Sequence, residues 1–276
     1  MGEPCFERLV VIGLGLVGGS VALGARGRGL AVEVRGVDLY RSEADPIPLI
    51  SLEEAADWAD GIVISVPPAA LEDVLVEIGP RLGPDTLLTD TASVKGPVAE
   101  AARRHLARPE QCVGAHPIAG GDRSGFEHAD PNLFENAACI ITPEGSEASA
   151  TVDRIEQFWQ GLGTFTARKR PAEHDELMAK LSHSPHAIAF AFARGLPEKD
   201  ELRLAGRGLR DFTRIARANP ALWSEILWMN RKCIARELGD FEKNLGEIRD
   251  ALGRGDRNAL ERALIAGKTA VDLLDR

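Results

Sequence analysis

The stretch that decides the fold lies near the amino terminus, where residues 9–20 read LVVIGLGLVGGS. Four apolar residues at 9–12 predict a buried strand, and the pattern G-x-G-x-x-G follows at once with Gly13, Gly15 and Gly18. The first glycine permits a tight turn, the second lets a phosphate approach the backbone, and the third lets a helix pack closely on the strand. The pattern predicts a dinucleotide-binding turn.

The sequence that follows supplies the context this motif requires. Residues 32–37 predict a second strand, and Asp38 follows it 20 residues after Gly18, where a carboxylate accepts hydrogen bonds from a ribose diol. Asp38 favours NAD over NADP because a carboxylate repels a 2′-phosphate, although Arg41 is close enough in sequence to pair with that phosphate. The other residues expected to bind the cofactor are Leu16, Val17, Val66 and Pro67.

Strand and helix signals alternate as far as about residue 170. A helix is predicted at residues 148–161, and more strands are predicted at residues 62–66, 86–89, 112–115, 139–142 and 164–167. This alternation is typical of a parallel sheet covered by helices. The predicted fold is α/β, with a Rossmann-type dinucleotide-binding domain at residues 1–170 followed by an all-α helical domain at residues 171–276.

Two apolar patterns characterise the helical domain. One lies on a single face of a helix that Pro171 opens, and it consists of Leu177, Leu181, Ile188 and Phe192. The other repeats at steps of four and three, and it consists of Ile234, Leu238, Phe241, Leu245, Ile248 and Leu252. The second pattern is too short to define a coiled coil, so packing within the domain and a subunit interface are both open.

Composition narrows the range of partners. The 276 residues include 33 Lys and Arg against 42 Asp and Glu, a formal net charge of -9, which argues against nucleic acid as the main partner. No apolar run is long enough to cross a bilayer, and the amino terminus does not resemble a signal peptide, so no membrane contact is expected. Four widely spaced cysteines predict buried thiols of a reducing cytoplasm.

Four motifs carry the candidate chemistry. Two follow predicted strands, with residues 89–96 reading TDTASVKG and residues 114–126 reading GAHPIAGGDRSGF. The other two lie in the helical domain, with residues 182–186 reading SHSPH and residues 210–216 reading RDFTRIA. With these motifs in this order, the sequence resembles the prephenate/arogenate dehydrogenases, the TyrA family of tyrosine biosynthesis, from residue 9 to about residue 255.

The resemblance implies an NAD-dependent oxidative decarboxylation of a cyclohexadienyl acid. The substrate is prephenate, giving 4-hydroxyphenylpyruvate, or arogenate, giving tyrosine. His116 matches the catalytic histidine, which accepts the 4-hydroxyl proton, and imidazole suits this task because it titrates near neutral pH. Ser93 matches a serine that hydrogen-bonds near the same hydroxyl. From residue type alone, His116 could be structural and Ser93 could be a helix N-cap.

The substrate-binding residues implied by the resemblance lie mostly in the helical domain. Arg214 matches the arginine that holds a substrate carboxylate, and Asp211 is placed to orient it through an i,i+3 ion pair. Ser182 and His186 are four residues apart and so share a face of a helix, which Pro185 is expected to bend. Trp223 aligns with an aromatic residue near the substrate side chain.

Several alternatives stay open from the residues themselves. His186 and Trp223 also suit an interior histidine and core packing, while Lys95 is interpreted as a solvated loop charge in preference to an anion contact. No metal is expected, because the histidines lack companion ligands at suitable spacing. Another NAD(P)-dependent hydroxy-acid dehydrogenase and a dinucleotide sensor without turnover are the rival functions. A homodimer through the helical domain is the expected assembly.

Overall fold

The computed structural model describes residues 3–120 and 123–272, which form two compact units. The first unit comprises Met1–Met178 and Ala218–Met229, and the second comprises Ala179–Arg217 and Asn230–Arg276. The division predicted near residue 170 stays a prediction, since the first unit also takes in a helix after that point and a later one. Two residues of the predicted histidine loop, Gly121 and Asp122, lie outside the described residues.

The first sheet has four parallel strands in the order β2-β1-β3-β4, and all four were predicted to within a few residues. Their bounds are β1 Phe6–Ile12, β2 Ala31–Val37, β3 Gly61–Ile64 and β4 Leu87–Asp90. All three neighbouring pairs are parallel, which requires a crossover connection between successive strands. At the start of β4, Leu87 N donates a backbone hydrogen bond to the carbonyl oxygen of Asp60, directly before β3, at 2.9 Å.

Helices follow most of these strands and continue beyond the sheet. Those before residue 180 are α1 Leu16–Arg28, α2 Leu52–Trp58, α3 Pro68–Ile78, α4 Gly96–His105, α5 Ser149–Gly161 and α6 Pro171–Met178. Those after it are α7 Ser184–Ala193, α8 Arg207–Thr213, α9 Pro220–Met229, α10 Arg231–Arg254 and α11 Arg257–Val271. The Rossmann-type domain followed by a helical domain is therefore confirmed.

The second sheet corrects one expectation. Its strands are β5 Gly114–Pro117, β6 Ala138–Thr142 and β7 Phe165–Arg168, and β5 runs antiparallel to β6. We expected these strands to continue one parallel series. Between β5 and β6, the described residues contain only a short 3₁₀ turn, Phe126–His128. The chain therefore returns without the helical crossover that a parallel pair needs.

The core of the first unit lies on both faces of the first sheet. Successive residues of a strand point to opposite faces, so Leu9 and Val11 enter one hydrophobic cluster while Val10 and Ile12 enter another. Trp159 is fully buried in the first of these clusters, and its indole Nε1 donates to Thr89 Oγ1 at 3.3 Å. This double covering explains why β1 has no polar positions after Arg8.

The second unit is helical, and the helical face predicted to run into it from α6, the last helix of the segment Met1–Met178, is interrupted. Helix α6 begins at Pro171 as expected, yet a π-helical turn, Ala179–His183, separates it from α7. A π turn holds an extra residue, so side chains on either side no longer align. Consequently Leu181 is 62% exposed and Phe192 is 48% exposed, instead of sharing a covered face.

Candidate active site

The glycine turn after β1 leaves room for a ligand in one place and none in two others. Gly13 has a φ of +91°, and a Cβ there would lie 2.4 Å from the Ser65 carbonyl oxygen and 3.0 Å from Val66 Cγ1. A Cβ on Gly18 would lie 1.9 Å from the Gly13 carbonyl oxygen, whereas one on Gly15 meets nothing within 4 Å. The backbone is thus tightly packed at Gly13 and Gly18 and open at Gly15, an arrangement that leaves space for a pyrophosphate.

The remaining cofactor candidates surround this turn. Helix α1 begins at Leu16, and Leu16 and Val17 are both half-buried. Asp38 follows β2 and accepts hydrogen bonds from Leu14 N and Tyr40 N, each at 2.9 Å, so its carboxylate is fixed beside the turn. Val66 is half-buried and Pro67 exposed, and both lie between β3 and α3. These residues fit a bound dinucleotide.

Arg41 has a protein partner in this structure. Its guanidinium forms an ion pair with Glu127 at 2.6 Å and lies 5.5 Å from the centre of the Phe126 ring. The interaction joins the segment after β2 to the 3₁₀ turn Phe126–His128.

His116 lies on β5 and is almost enclosed, with 7% of its surface exposed. Its Nδ1 is 2.9 Å from Nε2 of His174, a fully buried residue of α6. Nδ1 of His174 is in turn 2.8 Å from Asp175 Oδ1. The three side chains form a continuous hydrogen-bonded chain within the first unit.

This chain fixes which nitrogens carry protons. A carboxylate only accepts, so His174 Nδ1 donates to Asp175. Burial, the largest cause, lowers the pKa of His174 and keeps its ring neutral, so Nε2 of His174 is an acceptor. His116 Nδ1 therefore donates to His174, and a neutral His116 ring leaves Nε2 as its unprotonated nitrogen. That is the tautomer a general base requires.

Lys95 corrects the expectation of a solvated charge. Only 1% of it is exposed; its ammonium pairs with Asp90 Oδ1 and donates to the Ala115 carbonyl oxygen at 2.5 Å. Gly114, next to Ala115 on β5, packs tightly here, because a Cβ on it would lie 2.5 Å from Thr142 Oγ1 and 3.3 Å from Asp90 Oδ2. The buried ion pair thus lies under the strand that carries His116.

Asp175 also caps the helix that follows the Ser93 loop. Its two carboxylate oxygens accept from Lys95 N and Gly96 N, both at 2.8 Å. Helix α4 begins at Gly96, so the alternative of Ser93 as its N-cap is wrong, since a carboxylate from α6 fills that role. Ser93 is half-buried in the loop between β4 and α4.

The predicted substrate residues of the second unit are only partly brought together. His186 Nδ1 donates to the Ser182 carbonyl oxygen at 2.9 Å, so these two residues do meet, through the backbone of Ser182. Burial first, and then the positive charge of Arg214, lower the pKa of His186. Pro185 stands in the first turn of α7, directly after the π turn. His183 is buried and hydrogen-bonds Asn230 Nδ2 at 3.1 Å.

Arg214 and Asp211 do not form the expected ion pair among the described residues. Helix α8 ends at Thr213, and a 3₁₀ turn, Arg214–Arg217, begins there, which alters the i,i+3 geometry. Both side chains are exposed. Trp223 is half-buried on α9 and belongs to the first unit.

Sequence reasoning missed His174 and Asp175. The available signal was their position in α6, where they share a face with Pro171 and Met178, and all four are buried. A histidine and a carboxylate on an otherwise apolar helix face require polar partners, which could have been sought in the histidine loop. Among the described residues, no group of three or more potential ligands could hold a metal ion, and no helix is long and apolar enough to span a membrane.

The parallel sheet, the glycine turn and the carboxylate after β2 define a class, the dinucleotide-dependent oxidoreductases with a Rossmann-type domain. The chain belongs to the prephenate dehydrogenase family. The model of that family's nucleotide-binding domain matches residues 21–167, and the model of its dimerization domain matches residues 170–266.

Individual relatives agree with this assignment. The chain is 30% identical to prephenate dehydrogenase of Bacillus subtilis and 31% identical to that of Lactococcus lactis, over 98% and 95% of this chain and 76% of each relative. The crystal structure of prephenate dehydrogenase from Aquifex aeolicus with hydroxyphenyl propionate and NAD+ superposes with a TM-score of 0.89 at 27% identity, covering 99% of both chains. Arogenate dehydrogenase from Synechocystis superposes with a TM-score of 0.84 at 27% identity, covering 97% of this chain and 99% of that one.

Proposed function

We propose that the protein catalyses the oxidative decarboxylation of prephenate to 4-hydroxyphenylpyruvate, with NAD as hydride acceptor. Both family models and the relatives named above support this reaction class. The single observation that carries the proposal is the buried chain His116–His174–Asp175, because it presents His116 as the base that the reaction needs.

The proton step follows from the geometry of this chain. Nε2 of His116 accepts the proton of the substrate 4-hydroxyl while hydride leaves the carbon that bears it. The positive charge that develops on His116 is stabilised by the neutral His174 ring and, through it, by Asp175. Ser93, in the loop before the helix that Asp175 caps, hydrogen-bonds the same hydroxyl and keeps it in line with the base.

Binding of the substrate is assigned to Arg214, His186, Ser182 and Trp223. Two carboxylates enter a protein of net negative charge, so a cation is required, and a guanidinium matches a carboxylate bidentately. The exposed Arg214 suits this role, and a neutral His186 can hydrogen-bond the substrate without adding charge. Asp211 remains a candidate for contacting substrate, although it does not orient Arg214 through an ion pair in this structure.

The cofactor supplies an oxidised nicotinamide that takes up the hydride. Gly13, Gly15 and Gly18 shape the turn, and Asp38 supplies a fixed acceptor for the ribose hydroxyls. Loss of carbon dioxide and formation of an aromatic ring make the reaction downhill, so the task left to the chain is alignment and proton removal.

One assay tests the proposal. Purified protein is mixed with prephenate or arogenate and with NAD or NADP, and reduced nicotinamide is followed by its absorbance. Turnover of prephenate with NAD is expected, and replacing His116 with Asn should reduce kcat about a thousandfold while NADH still binds. Turnover of arogenate but not of prephenate would show that arogenate is the substrate. Absence of turnover in every mixture, from folded protein, would contradict the enzyme assignment.

We also propose a homodimer formed through the helical domain. The matching dimerization-domain model covers this region, and helices α10 and α11 expose large apolar side chains, namely Phe241, Leu245, Leu252, Leu264 and Ile265. Light scattering should give twice the chain mass, and Leu245→Glu should give monomers. A wild-type monomer at micromolar concentration would refute the assembly.

Two coarser expectations accompany this proposal. The predicted boundary between the two domains at about residue 170 is supported by the family models, since the first match ends at residue 167 and the second begins at residue 170. A cytoplasmic location is supported by four free cysteines, as is usual in a reducing compartment.

A further inference from the structure

The preference between NAD and NADP depends on the charges near the ribose 2′ position, and Asp38 and Arg41 are the two charged side chains among the cofactor candidates. Asp38 presents a carboxylate held by Leu14 N and Tyr40 N. Arg41, three residues later, is the cation that a 2′-phosphate needs, but in this structure it forms an ion pair with Glu127.

The backbone turn that carries Glu127 is held in place by its neighbours, although the Glu127 side chain is 61% exposed. The preceding Phe126 packs on α1, where a Cβ on Gly19 would lie 2.7 Å from the Phe126 ring. Asp130 N donates to Ser20 Oγ of the same helix at 2.9 Å. The turn that carries Glu127 is thus attached to the first residues of α1, the helix that follows the glycine turn. A hydrogen bond from its own backbone N–H, followed by the ion pair with Arg41, lowers the pKa of Glu127 and keeps it charged.

We propose that Glu127 is a specificity-determining residue that excludes NADP by holding Arg41. A 2′-phosphate would have to displace Glu127 from Arg41 and would then lie near two carboxylates, those of Asp38 and Glu127. A ribose diol needs no cation and is not penalised. This inference rests on the cofactor assigned in the proposed function.

The test measures cofactor binding without turnover. NADH and NADPH are titrated against the protein by nicotinamide fluorescence, and the ratio of their Kd values is compared among variants. Glu127→Gln removes the charge and keeps the side-chain shape, so the ratio should shift towards NADPH by about tenfold. The double variant Arg41→Gln/Glu127→Gln should lose this shift, because the released guanidinium is what binds the phosphate.

A matched control is provided by Glu135, which pairs with Arg28 at 2.8 Å in the same unit at nearly the same exposure. Glu135→Gln removes the same charge and should leave the ratio as in the wild type. The inference is overturned if Glu127→Gln leaves the ratio unchanged, if Glu135→Gln shifts it equally, or if the double variant keeps the shift. Failure of the proposed function is distinguishable, since wild-type protein would then not bind NADH or would bind it without oxidising either acid.

Discussion

The two units of the molecule differ in where their charged side chains lie, since the buried lysine and aspartates of the described chain belong to the first unit. In the first, Lys95, Asp90, His116 and His174 are each at most 7% exposed and hydrogen-bonded to one another or to backbone. In the second, Arg214 and Asp211 are exposed, and apolar side chains such as Leu252, at 62%, are exposed as well. Both described hydrophobic clusters lie in the first unit.

We interpret the first unit as preorganised for its chemistry and the second as a region whose exposed side chains still lack their binding partners. Groups buried with their partners are oriented before any ligand arrives, which suits proton transfer. Exposed apolar rows and an exposed arginine gain their partners only on association or substrate binding. The first unit should therefore respond to substitution through stability and kcat, and the second through KM and assembly.

The largest loss of stability in the first unit is expected when one partner of its buried ion pair is removed. Lys95→Met leaves Asp90 charged, buried and uncompensated, so the free energy of unfolding should fall by about 3–5 kcal/mol. Urea denaturation measures this loss. Lys169→Met, at an exposed lysine of the same unit, should change it by less than about 0.5 kcal/mol. Equal effects of the two variants would show that burial of Lys95 contributes nothing.

The corresponding change in the second unit acts on the substrate. Arg214→Gln should raise the KM for prephenate about thirtyfold, equivalent to about 2 kcal/mol, because one charge-assisted carboxylate contact is lost. Steady-state kinetics and NADH titration check that kcat and cofactor binding change little. Arg217→Gln alters the other arginine of the same 3₁₀ turn and serves as control. An equal rise in KM for both variants would assign the effect to general charge.

A smaller effect is expected when the orienting histidine is altered. His174→Leu removes the acceptor for His116 Nδ1, so kcat should fall about tenfold, equivalent to about 1.4 kcal/mol, with little change in KM. His174→Gln places an amide oxygen near the lost nitrogen and should recover part of the rate. If Gln is as slow as Leu while both variants remain folded, His174 acts only through packing.

The smallest effect is on the pH dependence of stability. Burial lowers the pKa of His174, so the unfolded chain binds a proton more readily than the folded chain. The free energy of unfolding should therefore fall as pH drops through the unfolded histidine pKa of about 6.5. Urea titrations across this range should give a shallower dependence for His174→Gln. His128→Gln, at an exposed histidine, should keep the wild-type dependence; a steeper dependence in His174→Gln would reverse the sign argued here.

Local sequence signals predicted much of the first unit and less of its chemistry. The strands, the glycine turn and Asp38 depend on neighbours in sequence, so apolar runs and spacing were sufficient. The partnership of His116 with His174 joins β5 to α6 across 58 positions, and no periodicity carries that information. Lys95 was misinterpreted for the same reason, since its ammonium is bound by the carbonyl oxygen of Ala115, 20 positions away on β5.

In the second unit, changes of helix type limited what the sequence could predict. A π turn and a helix ending at Thr213 each change the phase of side chains by a fraction of a turn. That was enough to invalidate the face assigned to Leu181 and the ion pair assigned to Asp211. Spacing rules assume one helix type throughout, and here the type changes within the motifs.

The position of Asp175 has a consequence for engineering. One carboxylate fastens the first turn of α4 and sets the proton on His174. Selection for heat resistance and selection for faster turnover would therefore act on the same two oxygen atoms. A laboratory evolution campaign on this scaffold would do better to leave that position fixed and to seek tolerance to heat on the solvent-facing side of α5.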